Sequence, residues 1–289
     1  MNLRQAIAAA AAQLAADEYL TATASRDAEY LLLHTLGVSR ATLLAYPERE
    51  LTTDQQFAYD GKVARRLTRE PIQYITGHQE FYGLTMKVSP AVLIPRPETE
   101  LLVETVLRFL PADQPLRIAD IGTGSGAIAI SLAVHLPLAE IAALDVSTAA
   151  LAVAEDNARE HRVAGRIEFL PSDLLSAVTP LAGSFDAVVS NPPYVAEFDR
   201  ETLHPEVREF EPATALFAAE NGLDVYRRLI PEALLALKPD GLLVLEIGQG
   251  QQAAIAGFLE GWDNVLFLND LQTIPRVAFA RKPRGTAIR

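Results

Sequence analysis

From residue 116 onward the chain alternates short apolar runs with longer helical stretches, and no other feature limits its fold as much. The apolar runs fall at 116–121, 141–145, 166–170, 185–190, 241–247, 264–269 and 276–281, and helical stretches fill 126–135, 147–161 and 223–237. Strand–helix alternation of this kind predicts a doubly wound, mostly parallel seven-stranded α/β sheet of Rossmann-like type. Only Asp270 to Pro275 separates the last two runs. That is too short for a crossover helix, so the C-terminal strand is expected to run antiparallel at one sheet edge.

The chain before this alternation reads differently. Residues 1–70 are rich in Ala, Leu, Arg and Glu, with Ala28, Leu31, Leu32 and Leu36 on one helix face. Leu36-Gly37-Val38-Ser39 reads as a helix end followed by a new N-cap. The expectation is a small helical domain of about four or five helices. Residues 71–95 form a linker in which Pro71, Gly77, Gly83 and Pro90 punctuate a hairpin signal. Residues 96–289 make up the α/β domain, opened by a helix with Pro97, Glu98 and Glu100 in its first turn.

Composition removes several function classes. With no cysteine there is no thiolate nucleophile, disulfide framework or Cys zinc site. The five histidines show no ligand spacing, so no metal is expected. No apolar run approaches the roughly 18–20 residues of a membrane span. Ala6 to Ala16, broken by Gln13, reads as a helix and not as a signal peptide. A cytoplasmic monomer is expected. The net charge is −12. Residues 1–75 hold 8 Lys+Arg and 9 Asp+Glu, the remainder 17 and 28. So acidic an α/β domain disfavours nucleic acid, whose binders need a basic footprint.

Candidate chemistry gathers where strands end. Asp120-Ile121-Gly122-Thr123-Gly124-Ser125-Gly126-Ala127 is a strand running into a glycine turn that opens a helix. Glycine lets the backbone turn tightly and approach a ligand closely. Asp145 ends the next strand at the spacing of an acid that meets ribose hydroxyls. The turn suits NAD or S-adenosylmethionine. Asp173, at the end of the third strand, favours the second, since it can reach an adenine amino group; it equally suits the N-cap of a short helix at 174–178.

The fourth strand ends in Asn191-Pro192-Pro193-Tyr194, at the edge where open α/β sheets bind ligands. Asn191 offers a carbonyl acceptor, the Pro192 carbonyl a second, and Tyr194 a flat face. Two acceptors and a ring fit a planar NH2 group, either an exocyclic amine or a carboxamide.

These motifs, in this order, resemble the class I S-adenosylmethionine-dependent amino-group methyltransferases. Pro71-Ile72-Gln73-Tyr74-Ile75-Thr76-Gly77, Glu80-Phe81-Tyr82-Gly83 and Val92-Leu93-Ile94-Pro95-Arg96-Pro97-Glu98-Thr99-Glu100 narrow the resemblance. With the helical N-terminal part, nearly the whole chain resembles the bacterial release-factor glutamine methyltransferases (the HemK/PrmC family). The resemblance implies that Gly122, Thr123, Gly124, Ser125, Gly126, Asp145, Asp173, Leu174 and Asn191 hold S-adenosylmethionine, which leaves as S-adenosylhomocysteine. Leu174 stands where relatives often carry an aromatic. Asn191, Pro192, Pro193 and Tyr194 would bind substrate, with Asn191, Pro192 and Tyr194 catalytic. The implied substrate is the glutamine of the Gly-Gly-Gln motif in class I peptide-chain release factors, docked by the helical domain.

The rival readings are a DNA or RNA exocyclic-amine methyltransferase, an NAD-dependent oxidoreductase and a non-catalytic binding module. The acidic balance argues against the first. The oxidoreductase gives the Asn191 turn no role, and an intact glycine loop argues against the third. Among other residues, Glu246 is expected to be a strand-end carboxylate facing solvent. Arg96, Pro97 and Glu98 are candidates to brace the Asn191 turn. The acidic stretch 195–222 reads as a lid or as a solvated loop.

Overall fold

The computed structural model describes residues 1–181, 183–219 and 221–285. The chain divides into two compact units, Met1–His78 with Thr202–Phe210, and Gln79–Glu201 with Glu211–Arg289.

The first unit is helical. It comprises α1 (Leu3–Leu14), α2 (Ala24–Leu36), α3 (Arg40–Ala45), α4 (Thr53–Leu67) and α5 (Ile72–Thr76). Asn2 and Thr52 close capping boxes with Gln5 and Gln55, satisfying helix-end N–H groups. Leu3, Leu14, Leu20, Leu31, Leu32 and Tyr59 form a dry core. A buried guanidinium lies beside it. Arg66 donates to Asp27 (2.9 Å), to the Glu70 carbonyl (2.9 Å) and to Glu206 (2.5 Å). Glu206 lies on a helix of the same unit that is distant in sequence.

From Gln79 the second unit carries all but the first residue of a hairpin of β1 (His78–Phe81) and β2 (Leu84–Lys87), turning at Tyr82 (φ +51°) and Gly83 (φ +72°). Two residues at positive φ are what a type I′ turn requires. There follow α6 (Glu100–Phe109), β3 (Leu116–Ile121), α7 (Ala127–His135), β4 (Ala139–Asp145), α8 (Thr148–Glu160), β5 (Ile167–Pro171) and β6 (Phe185–Ser190). Next comes α9 (Pro205–Phe210), the helix that carries Glu206 and belongs to the first unit. The chain ends through α10 (Ala213–Leu216), α11 (Asp224–Ala236), β7 (Leu237–Glu246), α12 (Gln252–Phe258), β8 (Asp263–Asn269) and β9 (Pro275–Arg281).

The sheet order is β5-β4-β3-β6-β7-β9-β8, parallel through β7, with β9 antiparallel to both neighbours. The short connection thus places β9 inside β8, one strand from the edge. Alternate residues of each strand face opposite cores. Ile118, Ile141, Val189 and Val244 enter the core beneath α6 and α7, while Ala119, Leu144, Val188 and Leu243 enter the core beneath α11 and α12. The helix α12 carries no strong periodic signal and lies outside the sequence expectation.

One buried side chain ties the hairpin to the ligand edge of the sheet. Asn157 of α8 accepts from Lys87 N (2.8 Å) and donates to the carbonyls of Lys87 (3.0 Å) and Ser125 (2.9 Å).

Candidate active site

The glycine turn between β3 and α7 needs its glycines for two different reasons. Gly122, Gly124 and Gly126 sit at φ +71°, +56° and +80°, where other residues are strained. At Gly126 a Cβ would also meet Ile130 Cδ1 at 2.9 Å and Ala154 Cβ at 3.1 Å, so it serves the close approach of α7 to α8. The Leu144 carbonyl receives both Gly122 N (2.8 Å) and Thr123 N (3.0 Å), which seats the turn on β4.

Two carboxylates shape it. Asp120 is fully buried. Its Oδ2 accepts from Thr123 Oγ1 (2.7 Å) and Ala129 N (3.2 Å), while Oδ1 has no hydrogen-bond partner. Burial pushes the Asp120 carboxyl up to about 7, against the pull of its two donors. Asp145 accepts from Gly124 N and Ser147 N, both at 2.9 Å.

A cavity of about 340 Å³ opens over this edge of the sheet. Gly122, Gly124 and Asp145 line it, together with Ser172, Asp173 and Leu174. Ser190, Asn191, Pro192 and Pro193 line it as well. Leu93, Pro212, Thr214 and Phe217 also contribute to its lining. The structure therefore brings Gly122, Gly124, Asp145, Asp173, Leu174, Asn191, Pro192 and Pro193 to one space. Thr123, Ser125, Gly126 and Tyr194 do not line it; the first three build the turn from within. Asp173 pairs with Arg228 at 2.6 Å on the exposed rim. Ser172 Oγ, and not Asp173, accepts the Ala177 N–H at the following turn (3.1 Å). Leu174 sits at φ +50°, a backbone strain of order 1–3 kcal/mol for such a residue.

The Asn191 turn is held from behind. Ser190 pairs with Ile121 in the parallel register of β6 and β3, and its hydroxyl donates to the Ile121 carbonyl at 2.7 Å. Asn191 Nδ2 donates to Thr99 Oγ1 (3.1 Å), and Thr99 Oγ1 donates to Glu246 Oε2 (2.7 Å). The Tyr194 hydroxyl donates to Glu246 Oε1 at 3.3 Å. Tyr194 is further fixed through its carbonyl, which accepts from Gln251 Nε2 at 3.0 Å. Gly222, at φ +70°, allows this, since a Cβ there would lie 2.2 Å from the Tyr194 carbonyl oxygen.

Glu246 corrects the sequence expectation. It is 2% exposed, because β9 pairs alongside the end of β7 and Thr99 and Tyr194 cover its carboxylate. Burial pushes it up to about 7, opposed by the Thr99 and Tyr194 hydrogen bonds and by Arg276. Burial, reinforced by the neighbouring Glu246, raises the Tyr194 phenol in turn.

The acidic stretch after the turn has an anchored base. Val195 and Phe217 form a bridge. Glu211, 6% exposed, accepts from Ile94 N (3.1 Å) and Arg96 Nη2 (2.5 Å). Thus Arg96 braces this segment and Thr99 braces Asn191. Thr99 lies in the 92–100 segment but is not singled out there, and Glu211, Gln251 and Asn157 carry no motif spacing that signals their roles. Among the described residues no group of three or more His, Cys, Asp or Glu gathers as a metal site would, and no helix is long and apolar enough to cross a membrane.

Comparison with known proteins supplies relatives for nearly the whole chain. Two family models match, the PrmC N-terminal domain over residues 5–77 and the methyltransferase small domain over residues 97–207. The release factor glutamine methyltransferase of Koribacter versatilis is 46% identical over 283 residues, spanning 98% of this chain and 99% of its own length. The release factor glutamine methyltransferase of Escherichia coli is 43% identical over 282 residues, spanning 96% and 97%. Among solved structures, the 16S rRNA methyltransferase RsmC of T. thermophilus, in complex with AdoMet and guanosine, superposes with a TM-score of 0.53 at 21% identity. It covers 71% of this chain and 49% of RsmC, a likeness of fold.

Proposed function

This chain belongs to the release factor glutamine methyltransferase family, and from that membership we propose how its cavity performs the transfer. S-adenosylmethionine lies against the glycine turn, and the Asn191 turn grips the side-chain carboxamide of the glutamine in the Gly-Gly-Gln motif of a class I peptide-chain release factor. The products are N5-methylglutamine and S-adenosylhomocysteine. One observation carries this reading: Asp145 and the glycine turn share a single cavity with Asn191 and Pro192.

The residues present fit the cofactor. Asp145 uses two acceptor positions on backbone N–H groups and, as a carboxylate, keeps about two more for ribose hydroxyls. The unpartnered Asp120 Oδ1 beneath the turn suits the positive end of an amino-acid moiety. Asp173 and Leu174 supply an acceptor and an apolar face for adenine. Bound there, S-adenosylmethionine supplies a methyl group on a sulfonium, with a neutral thioether as leaving group.

What the chain itself contributes is orientation. A carboxamide nitrogen is a weak nucleophile because its lone pair is delocalised. Asn191 Oδ1 and the Pro192 carbonyl accept its two hydrogens, so both acceptors converge on one nitrogen and fix its direction. Tyr194, tied to Glu246 and Gln251, holds the turn that carries them. Holding reactants in register can lower a barrier by about 7–11 kcal/mol. The surplus proton leaves to water after transfer. The helical unit serves as docking aid for the protein substrate, and we place the reaction in the cytoplasm, by a monomer, without a metal.

The test uses methyl-labelled S-adenosylmethionine with a class I release factor, duplex DNA and ribosomal RNA in parallel. Label on the release-factor glutamine is expected. Label on nucleic acid alone would replace this reading by exocyclic-amine methylation. Asn191→Ala is expected to cut turnover by about 10²-fold or more, with cofactor binding retained in calorimetry.

A further inference from the structure

Behind Asn191 runs a chain of hydrogen bonds whose direction is determined at its far end. Asn191 Nδ2 meets Thr99 Oγ1 at 3.1 Å, and Thr99 Oγ1 meets Glu246 Oε2 at 2.7 Å. Thr99 is 4% and Glu246 2% exposed, so bulk water does not compete for these bonds. A hydroxyl has one hydrogen, and an ionised carboxylate only accepts. With its hydrogen spent on Glu246, Thr99 Oγ1 can only accept from Asn191. It therefore admits the NH2 end of the Asn191 carboxamide and rejects the oxygen end.

We propose that Glu246, acting through Thr99, sets which way the Asn191 carboxamide faces, so that Asn191 meets the substrate as an acceptor. Thr99 and Glu246 are then positioning residues for the methyl transfer. The inference rests on the reading that Asn191 holds the NH2 of the substrate glutamine. A primary amide has nearly the same shape either way round, so packing alone does not choose between its two orientations. Turned over, Asn191 would set its own NH2 against the NH2 of the substrate, donor against donor. Glu246 supplies the missing polar reference. Its second oxygen is engaged by Tyr194 at 3.3 Å, so the same carboxylate sets both ends of the substrate-gripping turn. The Thr99 and Tyr194 hydrogen bonds and Arg276 favour its ionised form against the larger effect of burial.

Three substitutions test this. Glu246→Gln keeps the shape but offers one donor and one acceptor across the same two contacts, which lets the Thr99 hydroxyl reverse. Thr99→Val removes the relay at similar volume, and Thr99→Ser restores the hydroxyl. kcat and KM for a full-length release factor are measured at pH 8.5, where wild-type Glu246 is ionised, and cofactor Kd by calorimetry. Glu246→Gln and Thr99→Val are expected to lower kcat by about 10²-fold with cofactor Kd unchanged. Thr99→Ser is expected to recover most of that loss. The double variant should be no worse than either single one, because both act on one carboxamide. Wild-type kcat in Thr99→Val, multiplicative losses in the double variant, or a parallel loss of cofactor binding would each overturn the proposal. Asn191→Ala separates the two levels. If it turns over normally, the Asn191 reading falls and takes this inference with it. If it is inactive while Glu246→Gln and Thr99→Val are not, the positioning role alone falls.

Discussion

Two buried carboxyls, Asp120 and Glu246, lie behind the residues that line the cavity, and each is a case of burial opposed by hydrogen bonding. Burial raises both to about 7, from ordinary values of 3.8 and 4.5. Below about pH 3 the folded and unfolded chains both hold these protons, and no penalty exists. As pH rises towards 7 the unfolded chain releases them while the folded chain keeps them. Stability therefore falls with rising pH across that window and is lowest above it. Asp120→Asn should flatten this decline, as read from urea midpoints at pH 5, 6, 7 and 8; an unchanged slope would refute the assignment. Asp120 was legible as the acid that precedes the glycines. Glu246 was not, because a carboxylate at a strand end looks the same in sequence whether water or Thr99 lies beside it.

Among the elements, the strands and long helices of the sheet were readable because apolar periodicity is a local property. Predicted and observed strands 116–121 and 185–190 coincide. Where a β-bulge intervenes the reading shifts: β7 starts at Leu237, earlier than the apolar run, with a register break opposite β6 between Phe185 and Ala187. The helix α9 shows the limit more sharply. Its sequence is short and acidic, yet its Glu206 meets the buried Arg66 across 140 residues. Removing one partner of a buried ionic group leaves the rest uncompensated, at about 3–5 kcal/mol. Arg66→Met, which strands the buried Asp27 as well, is accordingly expected to lower stability by that order in urea denaturation. Glu206→Gln, at a more exposed partner, should cost less. Equal stability of Arg66→Met and wild type would show that the guanidinium is dispensable.

For the whole molecule, binding and folding are one equilibrium. A ligand that binds only the folded chain stabilises it by about 2.7 kcal/mol at a hundredfold excess over Kd. S-adenosylmethionine should therefore raise Tm in a concentration-dependent way. Asp145→Ala, which removes the proposed ribose acceptor and the Gly124 and Ser147 anchors, should abolish most of that shift, whereas Asn191→Ala should preserve it. A full shift in Asp145→Ala would move the cofactor away from this wall. The compact units also differ from any division drawn along the chain, since residues 202–210 belong with the helical unit although sequence places them after β6.

The sequence by itself determined the doubly wound sheet, the glycine turn with Asp145 at the next strand end, and the delivery of Asn191-Pro192 to the same edge. Each follows from periodicity or from residue types a few positions apart, which sterics and hydrogen-bond spacing translate directly into structure. Only the tertiary structure decided that Glu246 is buried, that Thr99 stands between it and Asn191, and that Glu211 anchors Arg96. Those contacts join residues 147, 92 and 115 positions apart. Whether such a polar group is solvated or buried depends on what packs over it, and no local pattern encodes that covering.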